Sequence, residues 1–588
     1  MSAHIEAIIT AGLRPDLFSQ TRALFGSRAL LLTALMALVI VGFGLRVTGL
    51  SAEGLSEDEL NKLYAVSDYR AHGITSVNGE HPMLMKSLQT ASIVLCERWN
   101  ASSLVSSPAS DLYLQPEASL RLPGVIFGAF TAILIYLLTA ELFGTEVALI
   151  AAALWTFDPN AIGFSRIAKE DTFLVFFFLL ANIFWLRGQR AAESEPQKNP
   201  SRYYWATAAA FGAMMASKYV PHLIAISISY YWVFQNLQET RWRLGKGKML
   251  VFFGIMGAVF LLLSPAVLLP DTWRQMGLFA GQKLIGHDGY EFMGKIYGHR
   301  WSDWLRGTPW YFYLVFTWVK LPILTLAGLV AGFPLLFRRK LGDGRYLLLF
   351  WFFFFFLGFS FFGGKFTRYY TVVLPAVLIT AALGVQFIGH WLAQRLKLWR
   401  ATTGVTGHAR AFVALLVVVG AIVASMTITP YFRLYMNRLG GGQTWAGYYF
   451  PHDEFYDTSM RDAVTEIARR STAGAHIASE SPALASYYAG RINHPDLICI
   501  SLSDSAALKQ LEEGDFVIAA RGRRYFSNDA LLTSLHQSTS PEIQLMAGGV
   551  PSADVYRLNR TTIGIVRSNA DRMPVIVSTT NIVPAPVN

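Results

Sequence analysis

Apolar runs of about 18 residues or more recur along this chain, and no other feature restricts its fold as strongly. A helix of that length crosses the hydrocarbon core of a bilayer with every backbone group satisfied internally. Candidate spans fall at 29–47, 119–143, 147–163, 171–187, 203–219, 221–237, 249–269, 320–337, 346–363, 370–392 and 411–429. Composition agrees, since 53% of the 588 residues are hydrophobic and only 15% are charged, against roughly a quarter in soluble domains. The chain is predicted to be a polytopic α-helical membrane protein.

The net charge of +11 would suit a nucleic-acid partner, but the basic residues sit in short loops between apolar runs, where they report topology. Arg187, Arg190, Lys198 and Arg202 share one side with Arg241, Arg243, Lys246 and Lys248. Arg338, Arg339, Lys340, Arg345, Arg395, Lys397, Arg400 and Arg410 join them. The positive-inside rule makes that side cytoplasmic. Eleven helices then place the N-terminus inside and the C-terminal region outside. Arg14, Arg22 and Arg28 precede the first run, and no small-residue cleavage site follows it, so the run reads as a retained signal anchor. The expected organisation is a cytoplasmic segment 1–28, a membrane domain 29–429 with outer loops 50–118 and 270–309, and an outer domain 430–588.

After about Pro430 the pattern becomes that of a soluble α/β domain. Short β-like runs at 476–478, 497–501, 516–520 and 555–558 alternate with helical stretches at 458–470 and 505–513. The tail from Thr561 reads as polar and irregular. The stretch from Tyr448 to Glu454 reads as a linker packed on aromatics, with contact to an acceptor as the second reading.

Unusual chemistry collects on the outer side. Glu57, Asp58 and Glu59 follow the first span, and His81-Pro82-Met83-Leu84-Met85-Lys86 lies downstream. The acidic trio reads either as a helix start, because Ser56 and Glu59 fit a capping box, or as site carboxylates. Ser165-Arg166-Ile167-Ala168-Lys169-Glu170-Asp171, Ser217-Lys218-Tyr219, Lys320-Leu321-Pro322 and Lys365-Phe366-Thr367-Arg368-Tyr369 complete the set. Each lysine or arginine alone reads as a snorkelling side chain at a helix end. Acidic pairs recurring beside them, on the side where positive charge is normally depleted, favour a site. A carboxylate to take a hydroxyl proton and cations to hold a leaving phosphate are what transfer from a phosphorylated donor requires.

These motifs, in this order, resemble the dolichyl-phosphate-mannose protein mannosyltransferases and their bacterial relatives, the aminoarabinose transferases of lipid A, among the GT-C glycosyltransferases. Ser119-Leu120-Arg121-Leu122-Pro123 adds to the match, which runs from about residue 50 to 390; His81-Pro82-Met83 departs from the family's His-Pro-Pro. The resemblance implies an inverting sugar transfer from a polyprenyl-phosphate donor to an acceptor hydroxyl on protein, lipid or glycan, in the plasma (inner) membrane. It implies Asp58 as the base, Glu59 as its orienting group or alternative, and Asp171 as the second acidic position. Lys218, Lys320 and Arg368, with Arg166 and Lys365, become the candidates for donor phosphate. His81, Lys86, Tyr219 and Tyr369 become acceptor or site-shaping residues. An acidic neighbour and a partly dehydrated cavity are expected to raise the Asp58 pKa. Neither His81 nor the pair His287 and His299 has metal-ligand spacing, and Cys96 and Cys499 stand far apart, so no cofactor is assigned and a divalent metal stays open without support. A flippase or transporter of envelope precursors is the alternative, disfavoured by the absence of an internal repeat. A structural component with a partner-binding outer domain is the third.

The topology has a direct check. A reporter fused after Pro430 is expected to be active only on the non-cytoplasmic side, and cytoplasmic activity would dissolve the shared face on which the site argument rests.

Overall fold

The computed structural model describes residues 28–194, 199–219, 222–237, 246–281, 287–399 and 405–573. The expectations for Arg14, Arg22, Lys198, Arg241, Arg243 and Arg400 lie outside the described residues. Every segment expected to span a membrane is helical. They are α1 (Arg28–Val47), α4 (Pro116–Phe143), the pair α5 (Thr145–Phe157) and α6 (Pro159–Ser165), α7 (Asp171–Ser194) and α8 (Ser201–Ser217). The rest are α9 (His222–Leu237), α10 (Lys246–Leu263), α13 (Ile323–Gly332), α14 (Gly344–Phe361), α15 (Leu374–Trp399) and α16 (Val405–Met426). Among the described residues, six helices are long and apolar enough to cross alone, or seven if the bent pair counts as one.

That pair corrects the expectation of a single helix at 147–163, because it bends by 59°. Asp158 at the bend accepts from the amides of Asn160 and Ala161, and Pro159 stands at the first helical position. Cap and proline together start a new helix instead of continuing the old one.

Four further helices lie between or beside the spans: α2 (Glu57–His72), α3 (Met83–Asn100), α11 (Pro270–Ala280) and α12 (Phe312–Lys320). The second outer loop also holds a hairpin, β1 (Tyr290–Phe292) with β2 (Lys295–Tyr297), turned at Met293 and Gly294, both at positive φ. Gly294 takes its positive φ without strain, whereas Met293 is an uncommon residue at such a position.

Residues beyond 430 form a five-stranded mixed sheet. Its strands are β3 (His476–Ser479), β4 (Ile498–Ser501), β5 (Phe516–Ala520), β6 (Ile543–Ala547) and β7 (Val550–Arg557), in the order β4-β3-β5-β7-β6. β4, β3 and β5 run parallel, and β7 pairs antiparallel with both β5 and β6. Two features differ from expectation. β6 has only partial burial alternation and was not anticipated. The tail from Thr561 is not irregular at its start, because Arg560–Ala570 is a helix with a capping box of Asn559 and Thr562. An apolar cluster joins this sheet to the outer loop: Leu55, Leu60 and Val66 of the α2 region pack with Val464, Ile477, Leu484, Phe516 and Val555.

Within the helices, α13 and α15 approach so closely that a Cβ on Gly384 would strike the carbonyl of Gly328, and one on Gly332 would strike that of Thr380. Small residues permit this contact where lipid offers no hydrophobic drive to pair helices. Gly384→Val is therefore expected to destabilise the detergent-solubilised protein by about 1–3 kcal/mol, read as a lower thermal aggregation temperature. An unchanged temperature would mean the two helices are free to separate.

Candidate active site

Three adjacent carboxylates open α2, and the fold sends each in a different direction. Ser56 caps the helix: its hydroxyl accepts from the Glu59 amide, while Glu59 accepts from the Ser56 amide, so the capping box is present. Glu59 is also fully buried, and Arg121 of α4 donates to both of its oxygens, at 2.8 and 2.7 Å. The Ala168 amide donates to it at 3.0 Å. Burial works to raise its pKa, but Arg121 and these amides hold it below the usual range. A carboxylate enclosed in this way cannot meet a substrate, so the alternative-base role expected for Glu59 does not fit. Glu59 is an anchor, and Arg121 extends it by donating to the carbonyls of Leu50, Glu53 and Gly54.

Glu57 turns to the C-terminal region. Its carboxylate lies 3.4 Å from His287 Nε2 and 3.3 Å from Arg523, and its amide donates to Asp457 at 3.1 Å. Burial alone would raise its pKa, yet His287 and Arg523 bring it down to about 2.

Asp58 points between these two. Its Oδ2 lies 2.6 Å from Lys169 Nζ, accepts from the Tyr456 hydroxyl at 2.7 Å, and lies 3.8 Å from Arg368 Nη2. Although protein surrounds it, 39% of the side chain remains exposed. The expectation of a raised pKa is corrected here. Burial does push it up, but Lys169, Arg368 and the Tyr456 hydroxyl outweigh that and hold Asp58 well below the ordinary carboxylate value.

The loop between α6 and α7 supplies the facing wall, one residue per task. Arg166 donates to the carbonyls of Arg46, Thr48 and Gly49 at 2.9, 2.6 and 2.8 Å, satisfying the C-terminal end of α1. It is thus spent on a helix end. Lys169 takes Asp58. Glu170 pairs with Lys62 of α2 at 2.9 Å and lies 3.4 Å from His81 Nδ1. Asp171 pairs with Lys218 at 2.6 Å, leaving its buried Oδ2 without a hydrogen bond.

The structure brings some of the sequence candidates together. Lys218 lies over the Tyr369 ring at 4.7 Å, and Arg368 stacks on Phe366 at 3.9 Å and Tyr369 at 5.6 Å. Arg368 meets Asp58 and Asp453 only at 3.8 Å each, and its buried Nη1 has no hydrogen-bond partner. Lys86 donates to the carbonyls of Asn78 and His81 at 2.7 and 3.0 Å; burial, with Lys62 nearby, pushes it down to about 7. Tyr219 lies beside Ser264 and Phe260.

Others are committed elsewhere. Lys320 is fully buried, pairs with Glu454 and donates to the carbonyls of Arg433 and Tyr435 at 3.0 and 2.8 Å. Lys365 donates to the carbonyls of Thr308 and Phe362. Both fasten one segment to another. Sequence reasoning passed over Lys169, although it lies within a motif that was singled out, and it passed over Tyr456, which is remote in the chain; Asp453 lies in the stretch from Tyr448 to Glu454, read there first as a linker. Among the described residues, no group of three or more histidine, cysteine, aspartate or glutamate side chains is arranged to hold a metal ion.

Known proteins resemble this chain in part of its sequence and in its fold. A family model described as dolichyl-phosphate-mannose-protein mannosyltransferase matches residues 109–268. Among solved structures, the chain is similar to ArnT from Cupriavidus metallidurans bound to undecaprenyl phosphate, with 12% identity, a TM-score of 0.51, and coverage of 91% of this chain and 99% of that one. ArnT from the same organism in the apo state gives 13% identity, 90% and 98% coverage and a TM-score of 0.49. The oligosaccharyltransferase AglB from Archaeoglobus fulgidus, in complex with an inhibitory peptide and a dolichol-phosphate, gives 11%, 83% and 69%, and 0.48. No curated protein matches the chain. The likeness to undecaprenyl-phosphate-bound ArnT shows that the two chains share a fold.

Glu59→Gln leaves the Arg121 charge buried and short of a partner. It is expected to cost on the order of 3–5 kcal/mol of stability, measured by thermal unfolding in detergent. Full stability with a selective loss of turnover would return Glu59 to the chemistry.

Proposed function

We propose that the chain transfers a sugar from a polyprenyl-phosphate donor to an acceptor hydroxyl at the outer face of the membrane, with inversion at the anomeric carbon. One observation carries this reading: a partly exposed carboxylate, Asp58, stands beside Arg368, a buried guanidinium whose Nη1 lacks a hydrogen bond. The matched family model and the undecaprenyl phosphate bound by ArnT support a lipid-linked phosphate donor. In the same reading all eleven apolar segments cross the plasma (inner) membrane from a cytoplasmic N-terminus, and residues 430–588 are an extracytoplasmic α/β domain.

The reaction follows from the parts. Asp58 accepts the proton of the acceptor hydroxyl, the freed oxygen attacks the anomeric carbon, and the bond from that carbon to the phosphate oxygen breaks. The electron pair leaves on polyprenyl phosphate. Arg368 and Lys218, with Lys169 in reach of the same space, offset the charge that gathers there. Asp171 holds Lys218 toward this group. His81, Lys86, Tyr219 and Tyr369 shape the walls around the acceptor. Lys320, Arg166 and Lys365 hold the frame.

Donor binding also tunes the base. Phosphate competes with Asp58 for Lys169 and Arg368, and a carboxylate that loses neighbouring cations becomes more basic. The free protein, with Asp58 held low, keeps it ionised into acid. The acid limb of kcat, which reports the donor-bound form, is therefore expected at higher pH than that of kcat/KM for the donor. Asp58→Asn is expected to bind donor yet transfer radiolabelled sugar at least about a hundredfold more slowly in lipid. Near-normal transfer by this variant, with Asp171→Asn inactive, would move the base to the second outer loop.

A further inference from the structure

The catalytic carboxylate is held partly by a residue from beyond the last apolar helix. Tyr456 and Asp457, which follow α17 (Pro451–Phe455), have φ values of 46° and 62°. Residues with side chains enter that left-handed region rarely, and two in succession are kept there only by their surroundings. Those surroundings are plain. Asp457 is buried, pairs with Arg523 through both oxygens and accepts from the Glu57 amide at 3.1 Å. Upstream, Asp453 accepts from the Tyr290 hydroxyl at 2.6 Å and the Thr367 amide at 2.8 Å, and Glu454 pairs with Lys320. The turn is fastened on both sides, and the Tyr456 hydroxyl is delivered 2.7 Å from Asp58 Oδ2.

The same oxygen takes Lys169 at 2.6 Å and faces Arg368 at 3.8 Å. Among the described residues no hydrogen bond reaches Oδ1, and the side chain is 39% exposed. We propose that Tyr456 is a positioning residue for the transfer reaction: it holds Oδ2 when donor phosphate draws Lys169 away, so that Oδ1 is the oxygen that takes the acceptor proton. This rests on the reading of Asp58 as the base. At that step the acceptor O–H bond breaks and its proton passes to Oδ1. The acceptor oxygen bonds to the anomeric carbon as the bond to phosphate oxygen breaks, and the electron pair departs with the phosphate.

The test separates hydroxyl from ring. Tyr456→Phe keeps the packing over Arg433 and Arg368, whose guanidinium carbons lie 5.2 and 5.9 Å from the ring centre. It removes one donor to the charged form of Asp58, which raises the carboxyl pKa. The other groups facing Asp58 stay in place: Lys169 from the α6–α7 loop, Arg368 from the turn before α15, Glu57 and Glu59 on α2, and His81 ahead of α3. The full chain in lipid, supplied with radiolabelled polyprenyl-phosphate sugar from total membrane lipid, is expected to show kcat about tenfold lower for Tyr456→Phe. Donor KM should be unchanged, and the acid limb of kcat should move up by about one pH unit. Tyr456→Ala should share that pH shift. A Phe variant with the wild-type rate and pH profile, even beside an inactive Ala variant, would reduce Tyr456 to packing and overturn the assignment. Absence of any transfer by the wild-type chain would overturn the sugar-transfer reading, and this assignment with it.

Discussion

The buried pair of Glu59 with Arg121 fixes where the site stands. Arg121 binds both oxygens of Glu59 and three carbonyls between Leu50 and Gly54, so one guanidinium ties the end of α1, the start of α2 and the body of α4. A pair this enclosed contributes little net stability, since each ion gives up its hydration. What it supplies is position. With Glu59 locked inward and Glu57 turned to Arg523, the geometry of a helix leaves Asp58 one direction, toward Lys169 and Tyr456. Glu57 is equally exposed but paired with His287 and Arg523, so the direction Asp58 takes is a consequence of its two neighbours.

The same logic governs the cations. A positive side chain at the outer end of a helix has two uses, to satisfy orphan carbonyls or to face a ligand, and hydrogen-bond partners tell them apart. Arg166 and Lys365 are filled by carbonyls, and Lys320 by carbonyls and a carboxylate. Arg368 has only ion-pair distances to two carboxylates and aromatic faces around it. A guanidinium stacked on rings keeps its edge donors for a planar or tetrahedral anion.

Much of this architecture was legible in the sequence, for a physical reason. Lipid demands that each span satisfy its own backbone, so the pattern that makes α1 or α15 a helix is local and readable. The motif from Ser165 to Asp171 was legible too, because charges beside apolar runs are costly and so informative. What stayed hidden was the pairing. Nothing local to Glu59 says that its partner is Arg121, 62 positions away, or that Tyr456 returns across 398 positions to Asp58. The capping box at Ser56 was visible and correctly described Glu59, yet it gave no ground for excluding Asp58 next to it. The Asp158-Pro159 bend and the Asn559 cap were visible as well; both are local signals that a strong hydropathy pattern, or a polar one, concealed.

The depressed basicity of Asp58 looks at first like an argument against its role, and the arrangement resolves it. A carboxylate beside two cations in a partly dehydrated site is a weak base while those cations have no other anion. A lipid-linked phosphate is a stronger claimant for Lys169 and Arg368, because it carries more charge and more acceptor oxygens. In the proposed reaction its arrival shifts the cations from the base to the leaving group, raising the basicity of one while stabilising the other. Tyr456 matters most at that moment. A neutral hydroxyl is no partner for the phosphate charge to draw away, and its backbone is fixed through Asp457 to Arg523. In the proposed reaction it keeps hold of Oδ2 while the charges rearrange, and the freed basicity appears on Oδ1, where the acceptor arrives.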